Sequence, residues 1–226
     1  MRFNLHGLFR PFTGLFLNLA YLTKLSEWRK KHSKHSINDF YSGKWDYSKR
    51  YMLYEKIFEK ENLSSASVNY LEFGVAGGTS FKWWCGHNTN EASRFYGFDT
   101  FTGLPEDWNV FKAGAMSAGG KFPEINDSRA QFHKGLFQDT LPEFLKTFQN
   151  DKRKIIHLDA DLYTSTLYVL ATLHPYLKPG DLLFFDEFAV PQSEFLAFKN
   201  YVDSFRVNYE VIGTLNNYFF VAVKIL

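Results

Sequence analysis

Short apolar runs recur along this chain, and stretches with helical spacing of apolar residues separate them. Each run ends in glycine or in polar residues. This alternation is typical of parallel strands joined by crossover helices, because a strand covered on both faces is apolar throughout. The predicted strands are 69–73, 94–99, 130–135, 154–159 and 182–187. The predicted helices around them are 47–61, 79–85, 142–148, 164–177 and 193–205.

The end of the chain has a different pattern. Two strand-like runs, 209–215 and 218–225, flank Asn216-Asn217, a pair that favours a tight hairpin turn. Together with the strand–helix alternation, the hairpin predicts an α/β fold: a doubly wound, mostly parallel Rossmann-like sheet closed by an antiparallel C-terminal hairpin. In such a sheet, ligands bind along the edge where the parallel strands end.

The first residues of the chain follow neither pattern and predict an N-terminal helical arm. Apolar residues recur at helical spacing from Leu5 to Leu22, interrupted by two glycines and a proline, and a basic cluster follows. The apolar run from Leu15 to Leu22 is too short to span a bilayer, which takes about 20 residues, and it lacks the cleavage site of a secretory signal. Residues 1–36 therefore predict either an arm that packs on a partner subunit of a homo-oligomer, which we favour, or an amphipathic helix in peripheral contact with a membrane.

Composition supports one globular domain, 47–226, preceded by the arm, 1–46. Hydrophobic residues make up 45% of the 226 residues, which is enough for a large core. The net charge of +2, from 26 basic and 24 acidic residues, gives no electrostatic footprint for a nucleic-acid partner. Cys85 is the only cysteine, which excludes an internal disulfide and favours a reducing compartment, the cytoplasm.

The stretch 69–80 predicts a strand, a tight turn and the start of a helix, an arrangement that binds nucleotide-like ligands in open α/β sheets. The turn has the spacing Glu72-x-Gly74-x-Ala76-x-Gly78. A dinucleotide fingerprint requires G-x-G-x-x-G, so a nicotinamide oxidoreductase is disfavoured. The spacing fits instead the turn of S-adenosylmethionine (SAM)-dependent methyltransferases, with Ala76 at the place of the middle glycine.

Asp99 ends the second predicted strand, about twenty residues past the glycine turn. A carboxylate at this position can accept hydrogen bonds from both ribose hydroxyls of an adenosine, although an aspartate alone could equally cap a helix. Residues 102–128 contain several glycines and prolines and show little periodicity. A loop of this kind predicts a lid or a substrate-binding segment.

Acidic residues end two predicted strands: Asp159 and Asp161 follow one, and Asp186 and Glu187 the other. Clustered carboxylates repel one another unless they share a proton or a cation. Oxygen ligands at this density suit Mg²⁺, with Ca²⁺ and Mn²⁺ as rivals, and such a cation could lower the pKa of an acceptor hydroxyl. The alternatives are helix capping and surface solvation, or a metal-free site in which Asp159, Asp161 or His157 acts as a general base.

Five longer motifs resemble the macrocin O-methyltransferase-like family of class I SAM-dependent methyltransferases, which methylate sugar hydroxyls. They are YLEFGVAGG (70–78), FYGFDTFTGLP (95–105), KGLFQDTLP (134–142), HLDADLY (157–163) and FFDE (184–187). The resemblance covers roughly residues 45–225. It implies SAM as the methyl donor and Mg²⁺ or another divalent cation held by Asp159, Asp186 and Glu187. The family usually has two aspartates in place of Asp186-Glu187, so this chain keeps the charge and lengthens one ligand.

The resemblance also implies roles for single residues. Glu72, Gly74 and Gly78 shape the methionine end of the SAM site, Asp99 holds the ribose, and Phe137 with Gln138 meets the adenine. The predicted SAM-binding residues are Glu72, Gly74, Ala76, Gly78, Thr79, Ser80, Asp99, Thr100, Phe101, Phe137, Gln138 and Asp159. The predicted catalytic residues are Asp159, Asp161 and His157, with Asp159 placed to take the acceptor's proton.

These observations predict a metal-assisted O-methyltransferase that transfers a methyl group from SAM to a hydroxyl of a sugar or another polyol, in a small molecule or a glycan. The protein's own contribution is then alignment for in-line transfer and stabilisation of the alkoxide. Two alternatives stay open. One is a metal-independent methyltransferase with an Asp or His general base, acting on another acceptor. The other is a non-catalytic SAM-binding subunit, against which the intact acidic cluster counts.

Overall fold

A computed structural model describes residues 5–226, so the first four residues of the predicted arm lie outside the described part of the chain. The strands are β1 (Val68–Phe73), β2 (Arg94–Asp99), β3 (Ala130–Lys134), β4 (Arg153–Leu158), β5 (Leu182–Phe185), β6 (Tyr209–Leu215) and β7 (Phe220–Ile225). They form one sheet in the order β3-β2-β1-β4-β5-β7-β6. β1 to β5 are parallel, and β7 runs antiparallel to both β5 and β6. The predicted doubly wound sheet with antiparallel C-terminal strands is confirmed.

The helices are α1 (Leu5–Phe9), α2 (Thr13–Lys31), α3 (Lys49–Lys60), α4 (Thr79–His87), α5 (Phe137–Leu145), α6 (Tyr163–Leu173) and α7 (Glu194–Phe205). Short 3₁₀ turns lie at Arg10–Phe12, where Pro11 interrupts the arm, and at His174–Tyr176. None of the helices described within residues 5–226 is long and apolar enough to cross a membrane.

Two apolar layers cover the two faces of the sheet. α3 and α4 pack on one face, where residues such as Tyr70 of β1 are buried against Trp84 of α4. α5, α6 and α7 pack on the other face, where Leu71 of β1 joins Leu170 and Phe198. Because neighbouring residues of one strand enter opposite layers, the central strands are apolar along their whole length. This burial is the physical reason that the strands could be recognised in the sequence.

Two helices differ from their predicted bounds by four residues or more at one end. α5 begins at Phe137 rather than at Pro142, and residues predicted as a loop form its first turn. Pro142 therefore lies inside the helix, although proline is most often found in a first turn. α6 begins at Tyr163 and ends at Leu173, short of the predicted 177. Its α-helical bonding stops there because Pro175 has no N–H to donate.

Candidate active site

A cavity of about 360 Å³ opens at the carboxyl edge of the sheet, beside the loop that follows β2. This is the edge where open α/β sheets bind their ligands. The predicted site residues in its wall are Gly74, Ala76, Asp99, Thr100, Phe137, Gln138, Asp159, Asp161 and Glu187. The structure thus brings together residues that follow β1, β2, β4 and β5 with two residues at the start of α5.

Some wall residues were missed in the sequence, and they come from loops and a helix start. They are Gly103, Leu104, Pro105, Glu106, Met116, Gly135, Leu136, Ala160, Thr164 and Ser165. The aperiodic stretch 102–128 indicated a lid, but no spacing in it shows which side chains turn inward. Other predicted site residues do not line the cavity: Glu72, Gly78, Thr79, Ser80, Phe101, His157 and Asp186.

The glycines of the turn after β1 are required by contacts within the chain. Gly74 has φ of +96°, and a Cβ added there would lie 1.8 Å from the carbonyl oxygen of Asp159. At Gly78, with φ of +75°, an added Cβ would lie 2.6 Å from Cβ of Pro123 in the loop after β2. Ala76, at the place of the middle glycine, also has a positive φ of +45°. The small residues of the turn therefore let the end of β4 and the loop after β2 pack closely against it. The sequence had indicated only a role in ligand binding for these glycines.

Asp99 ends β2 and fixes the turn through two short hydrogen bonds. Its Oδ2 accepts the N–H of Ala76 at 2.7 Å, and its Oδ1 accepts the N–H of Phe101 at 2.6 Å. Each carboxylate oxygen can accept more than one hydrogen bond. Asp99 therefore keeps free acceptor capacity on the cavity side while it holds the surrounding backbone in place.

Glu72, predicted to shape the methionine end of the SAM site, is completely buried beneath the turn. Its Oε1 accepts the hydroxyl of Ser80 at 2.6 Å, and its Oε2 accepts the hydroxyl of Tyr70. Ser80 lies in the first turn of α4, so the carboxylate ties β1 to the start of that helix. The acid of the motif thus supports the turn from below and does not form the cavity wall.

The same buried network includes His157, one of the predicted catalytic bases. Its Nε2 and Nδ1 lie 3.0 and 3.1 Å from the hydroxyls of Tyr54 and Tyr70. Each nitrogen also lies 3.7 Å from a carboxylate, Nδ1 from Glu72 and Nε2 from Asp186. Burial alone would lower the pKa of His157, but the two carboxylates outweigh burial and raise it to about 10. A charged, fully buried imidazole is poorly placed to take a proton from a ligand in the cavity.

Arg50 of α3 binds the remaining acid of this network. Its guanidinium forms an ion pair with the buried Asp186, and its Nη1 lies 3.7 Å from Oδ2 of Asp159. The cations Arg50 and His157 thus face the carboxylates of Glu72 and Asp186, and the inner network is balanced in charge. Asp186, predicted to hold a metal, forms this ion pair with Arg50 and does not line the cavity. One of its oxygens also lies within 4.8 Å of a ring nitrogen of His157 and of an oxygen of Asp159.

Asp159, Asp161 and Glu187 form a second acidic set, which does face the cavity. Single oxygens of the three side chains lie within 4.8 Å of one another. Burial raises the pKa of each, and the charge of Asp186 adds to the shift of Asp159. Asp161 also has a positive φ of +58°, a backbone conformation that is uncommon outside glycine and concentrates at functional sites.

The second set contains an unsatisfied oxygen, and so does the acid behind it. Glu194 lies behind it, and its Oε2 accepts the N–H of Glu187 at 2.9 Å. Oε1 of Glu194 and Oε2 of Glu187 are buried and find no hydrogen-bond partner among residues 5–226. Orphaned carboxylate oxygens near two further acids are what a hard divalent cation would satisfy. Asp159, Asp161 and Glu187 therefore fit a metal better than the predicted set, which contained Asp186 in place of Asp161.

The loop after β2 contacts two helix starts at the rim of the cavity. The hydroxyl of Thr164 donates to Glu106 at 2.7 Å, and Nε1 of Trp108 donates to Ser193 at 3.0 Å. Thr164 lies at the start of α6, and Ser193 directly precedes α7. These contacts hold the loop over the cavity, as a lid would require.

The fold and the site define an α/β protein of the class I methyltransferase type. The sheet is parallel, a turn of small residues follows its first strand, an acid ends the second, and acids follow the fourth and fifth. Comparison with protein families agrees, because residues 71–188, more than half of the chain, match the family described as "Methyltransferase domain". The chain belongs to this family.

Two curated proteins are similar over part of the chain. The 8-demethyl-8-(2,3-dimethoxy-alpha-L-rhamnosyl)-tetracenomycin-C 4'-O-methyltransferase of Streptomyces olivaceus is 38% identical over 64 residues, which are 28% of this chain and 23% of that protein. The demethyldecarbamoylnovobiocin O-methyltransferase of Streptomyces niveus is 29% identical over 93 residues, 41% of this chain and 32% of that protein. The matched part thus spans less than a third of either relative.

Solved structures show the same fold. The calicheamicin methyltransferase CalS11 superposes with a TM-score of 0.61 at 19% identity, covering 78% of this chain and 78% of its own. The O-methyltransferase NovP gives a TM-score of 0.55 at 19% identity, covering 79% and 78%. The predicted fold class and the stated family resemblance are confirmed by these matches together with the family assignment.

Proposed function

We propose that the protein is a SAM-dependent O-methyltransferase that methylates a hydroxyl of a sugar or another polyol, assisted by a divalent cation. One observation carries the proposal: a single cavity contains both Asp99 beside the small-residue turn and the acidic set Asp159, Asp161 and Glu187. Membership of the methyltransferase family supports the donor. The two relatives support the acceptor class, since both are named O-methyltransferases and one is named for a rhamnosyl-bearing compound.

In this proposal the two ends of the cavity have different tasks. Asp99 accepts the ribose hydroxyls of SAM, while Phe137 and Gln138 line the space for its adenine. SAM supplies an electrophilic methyl group on a sulfonium sulfur. The turn after β1 directs that group toward the acids, so the acceptor hydroxyl approaches from the side of Asp159 and Asp161.

Asp159 is the residue we assign to the acceptor's proton. As the new O–CH₃ bond forms and the S–CH₃ bond breaks, the hydroxyl proton passes to its carboxylate. Arg50 lies 3.7 Å from that carboxylate and holds it in position. A cation held by Asp159, Asp161 and Glu187 would supply Lewis acidity that lowers the pKa of the hydroxyl. His157 is left as a charged support of the network.

The test combines binding and turnover. Titration calorimetry should show binding of S-adenosylhomocysteine and no comparable binding of NAD. Methyl transfer should then be assayed on rhamnose-containing acceptors before chelation, after EDTA treatment and after Mg²⁺ is restored. Loss and recovery of turnover support the metal-assisted reaction, whereas EDTA-resistant turnover supports a general base alone. Binding without turnover on any acceptor would support the non-catalytic alternative.

We also propose a cytoplasmic location. The single cysteine, Cys85, is buried, and burial raises its pKa well above the ordinary value. A thiol of this kind is unreactive and needs no oxidising compartment.

Asp99→Ala is expected to weaken binding of S-adenosylhomocysteine at least tenfold. Hydrogen bonds to a charged group are worth about 1.5–3 kcal/mol each, and this variant loses the acceptor of both ribose hydroxyls. Asp107→Ala is the matched control, because Asp107 also accepts a backbone N–H in the same loop, from Ala113, but lies outside the cavity wall. Calorimetry measures both affinities, and thermal melts verify folding. Equal affinities in folded variants would remove Asp99 from the site.

The two candidate sets of metal ligands share Asp159 and Glu187 and differ in their third member, Asp161 or Asp186. Mg²⁺ is expected to raise the melting temperature of wild type and of Asp186→Asn by similar amounts, and that of Asp161→Asn much less, because only Asp161 faces the cavity. Each variant is compared with its own metal-free sample, so the loss of the Arg50 ion pair does not enter the comparison. The reverse result would restore the set Asp159, Asp186 and Glu187.

A further inference from the structure

The N-terminal arm presents a large apolar surface that no other part of residues 5–226 covers. Its large apolar side chains are 43–65% exposed: Leu5, Leu8, Phe9, Phe12, Leu15, Phe16, Leu17, Leu19 and Leu22. A continuous apolar surface of this kind is unfavourable in water and marks a contact with another body. The arm is thus the largest feature that the methyl-transfer proposal does not explain.

The other end of the arm is fixed firmly to the domain. Trp28, near the end of α2, is 8% exposed and lies 4.7 Å from the ring of Phe188. Its Nε1 donates a hydrogen bond to the hydroxyl of Tyr209 at 2.9 Å. Phe188 directly follows Glu187 of the cavity wall, so the arm leaves the domain beside the loop after β5. Nearer the start of α2, Oδ1 of Asn18 lies 3.5 Å from Nε2 of Gln192, in the segment between β5 and α7, so the exposed part of α2 extends from the same edge of the sheet as the cavity.

The exposed side chains leave α2 in several directions. Leu15, Phe16 and Leu17 are consecutive and are all exposed, and consecutive helical residues project about 100° apart. A second copy of the arm would cover one stripe along the helix and leave the other sides in water. A helix at the boundary between lipid headgroups and acyl chains sinks by about 5–10 Å, which is most of a helix diameter of about 10–12 Å, so apolar side chains on several sides would be covered. The distribution therefore favours a membrane over a contact between the arms of two copies of the chain.

The charge of the arm also favours a membrane. Residues 1–36 contain one acid, Glu27, and seven basic residues: Arg2, Arg10, Lys24, Arg29, Lys30, Lys31 and Lys34. Basic residues beside an apolar segment attract anionic lipid headgroups. Two copies packed arm against arm would instead bring these like charges together, which opposes association.

We propose that α1 and α2 dock the protein on the surface of a membrane that contains anionic lipid. The apolar side chains enter the headgroup boundary, and the basic residues lie on the headgroups. The proposed contact is peripheral, since no helix among the described residues is long and apolar enough to cross the bilayer. It depends on the arm alone and holds whatever reaction the cavity performs.

The test is vesicle flotation of the full-length protein. Two vesicle types are compared, phosphatidylcholine alone and phosphatidylcholine mixed with phosphatidylglycerol. Wild type is expected to bind the anionic vesicles at least tenfold more strongly, and higher salt should weaken that binding. The variant Leu15→Ser/Phe16→Ser/Leu19→Ser should bind at least tenfold more weakly than wild type. The matched control, Met52→Ser/Leu226→Ser, replaces side chains that are 44% and 58% exposed elsewhere and should bind like wild type.

The substituted side chains are exposed, so all variants should melt near the temperature of wild type, and light scattering gives their masses. The proposal is overturned if wild type binds neither vesicle type, if it binds both equally, or if the arm variant binds like the control. A wild-type dimer that becomes a monomer in the arm variant, without vesicle binding by either, would assign the arm to a second copy of the chain.

Discussion

Asp159→Asn is expected to abolish methyl transfer and to leave SAM binding nearly unchanged. Asparagine keeps the size of the side chain but cannot take the acceptor's proton, and a positioned base contributes about 10²–10⁴-fold to a rate. The same substitution weakens a charged ligand of the cation. The apo protein should become no less stable, because neutralising Asp159 relieves its repulsion with Asp186, which contributes to its raised pKa.

Three measurements separate this expectation from a structural role. Turnover should fall at least a hundredfold, which corresponds to the lower end of the general-base effect, about 10². Titration with S-adenosylhomocysteine should give nearly the wild-type affinity, and melts should be run with and without Mg²⁺. Asp203→Asn, which neutralises an exposed acid on α7 paired with Lys199, is the control for charge alone.

The results of these melts decide the part that Asp159 plays. If Asp159 merely capped a helix, Asp159→Asn would lower the stability of the protein by about 1 kcal/mol and leave its activity unchanged. If Mg²⁺ raises the melting temperatures of wild type and Asp159→Asn equally, Asp159 is not a ligand. The metal-assisted mechanism then gives way to the general-base alternative, in which the proton transfer alone explains the loss of turnover.

The fold could be predicted because its central strands are buried on both faces. β2 and β6 have the bounds that the sequence predicted, and the hairpin turn at Asn216-Asn217 lies where its residue types indicated. The start of α5 was missed for a local reason. The rule that places proline at a helix start was applied to Pro142, whereas the helix already begins at Phe137 and accommodates the proline within it.

Phe137 and Gln138 of the candidate site were predicted from the family resemblance, and the other predicted residues that line the cavity lie at or just after strand ends. Asp99, Asp159 and Glu187 follow apolar runs, and a parallel sheet brings such ends to one edge. The orientation of a side chain at a strand end depends on its partners, which come from elsewhere in the chain. Asp186 turns to Arg50, a residue of α3 that shows no motif and was predicted to lie in an amphipathic helix. Glu72 likewise accepts hydrogen bonds from Tyr70 and Ser80, and the spacing of the motif does not predict these partners.

Arg50→Met is expected to cause the largest loss of stability among these variants. Methionine approximates the aliphatic part of the arginine but removes the ion pair of Asp186, which is 1% exposed and keeps only His157, at 3.7 Å, as a neighbouring cation. Removing one partner of a buried ion pair costs about 3–5 kcal/mol, because the remaining charge stays out of water and uncompensated. Urea unfolding measures the loss. Lys56→Met, at an exposed position of the same helix, should change stability by less than about 0.5 kcal/mol.

The double variant Arg50→Met/Asp186→Leu tests the cause of that loss. Replacing both members of a buried pair with apolar residues is often neutral, so the double variant should recover much of the stability. No recovery would indicate that Arg50 acts mainly through Asp159, at 3.7 Å, rather than through Asp186.

The effect of Mg²⁺ on the stability of Arg50→Met tests whether Arg50 and a cation bind the same carboxylates. Stronger stabilisation of Arg50→Met than of wild type by Mg²⁺ would mean that Arg50 and the cation compete for the same carboxylates. Equal stabilisation would mean that the ion pair and the cavity-facing acids Asp159, Asp161 and Glu187 act as separate units.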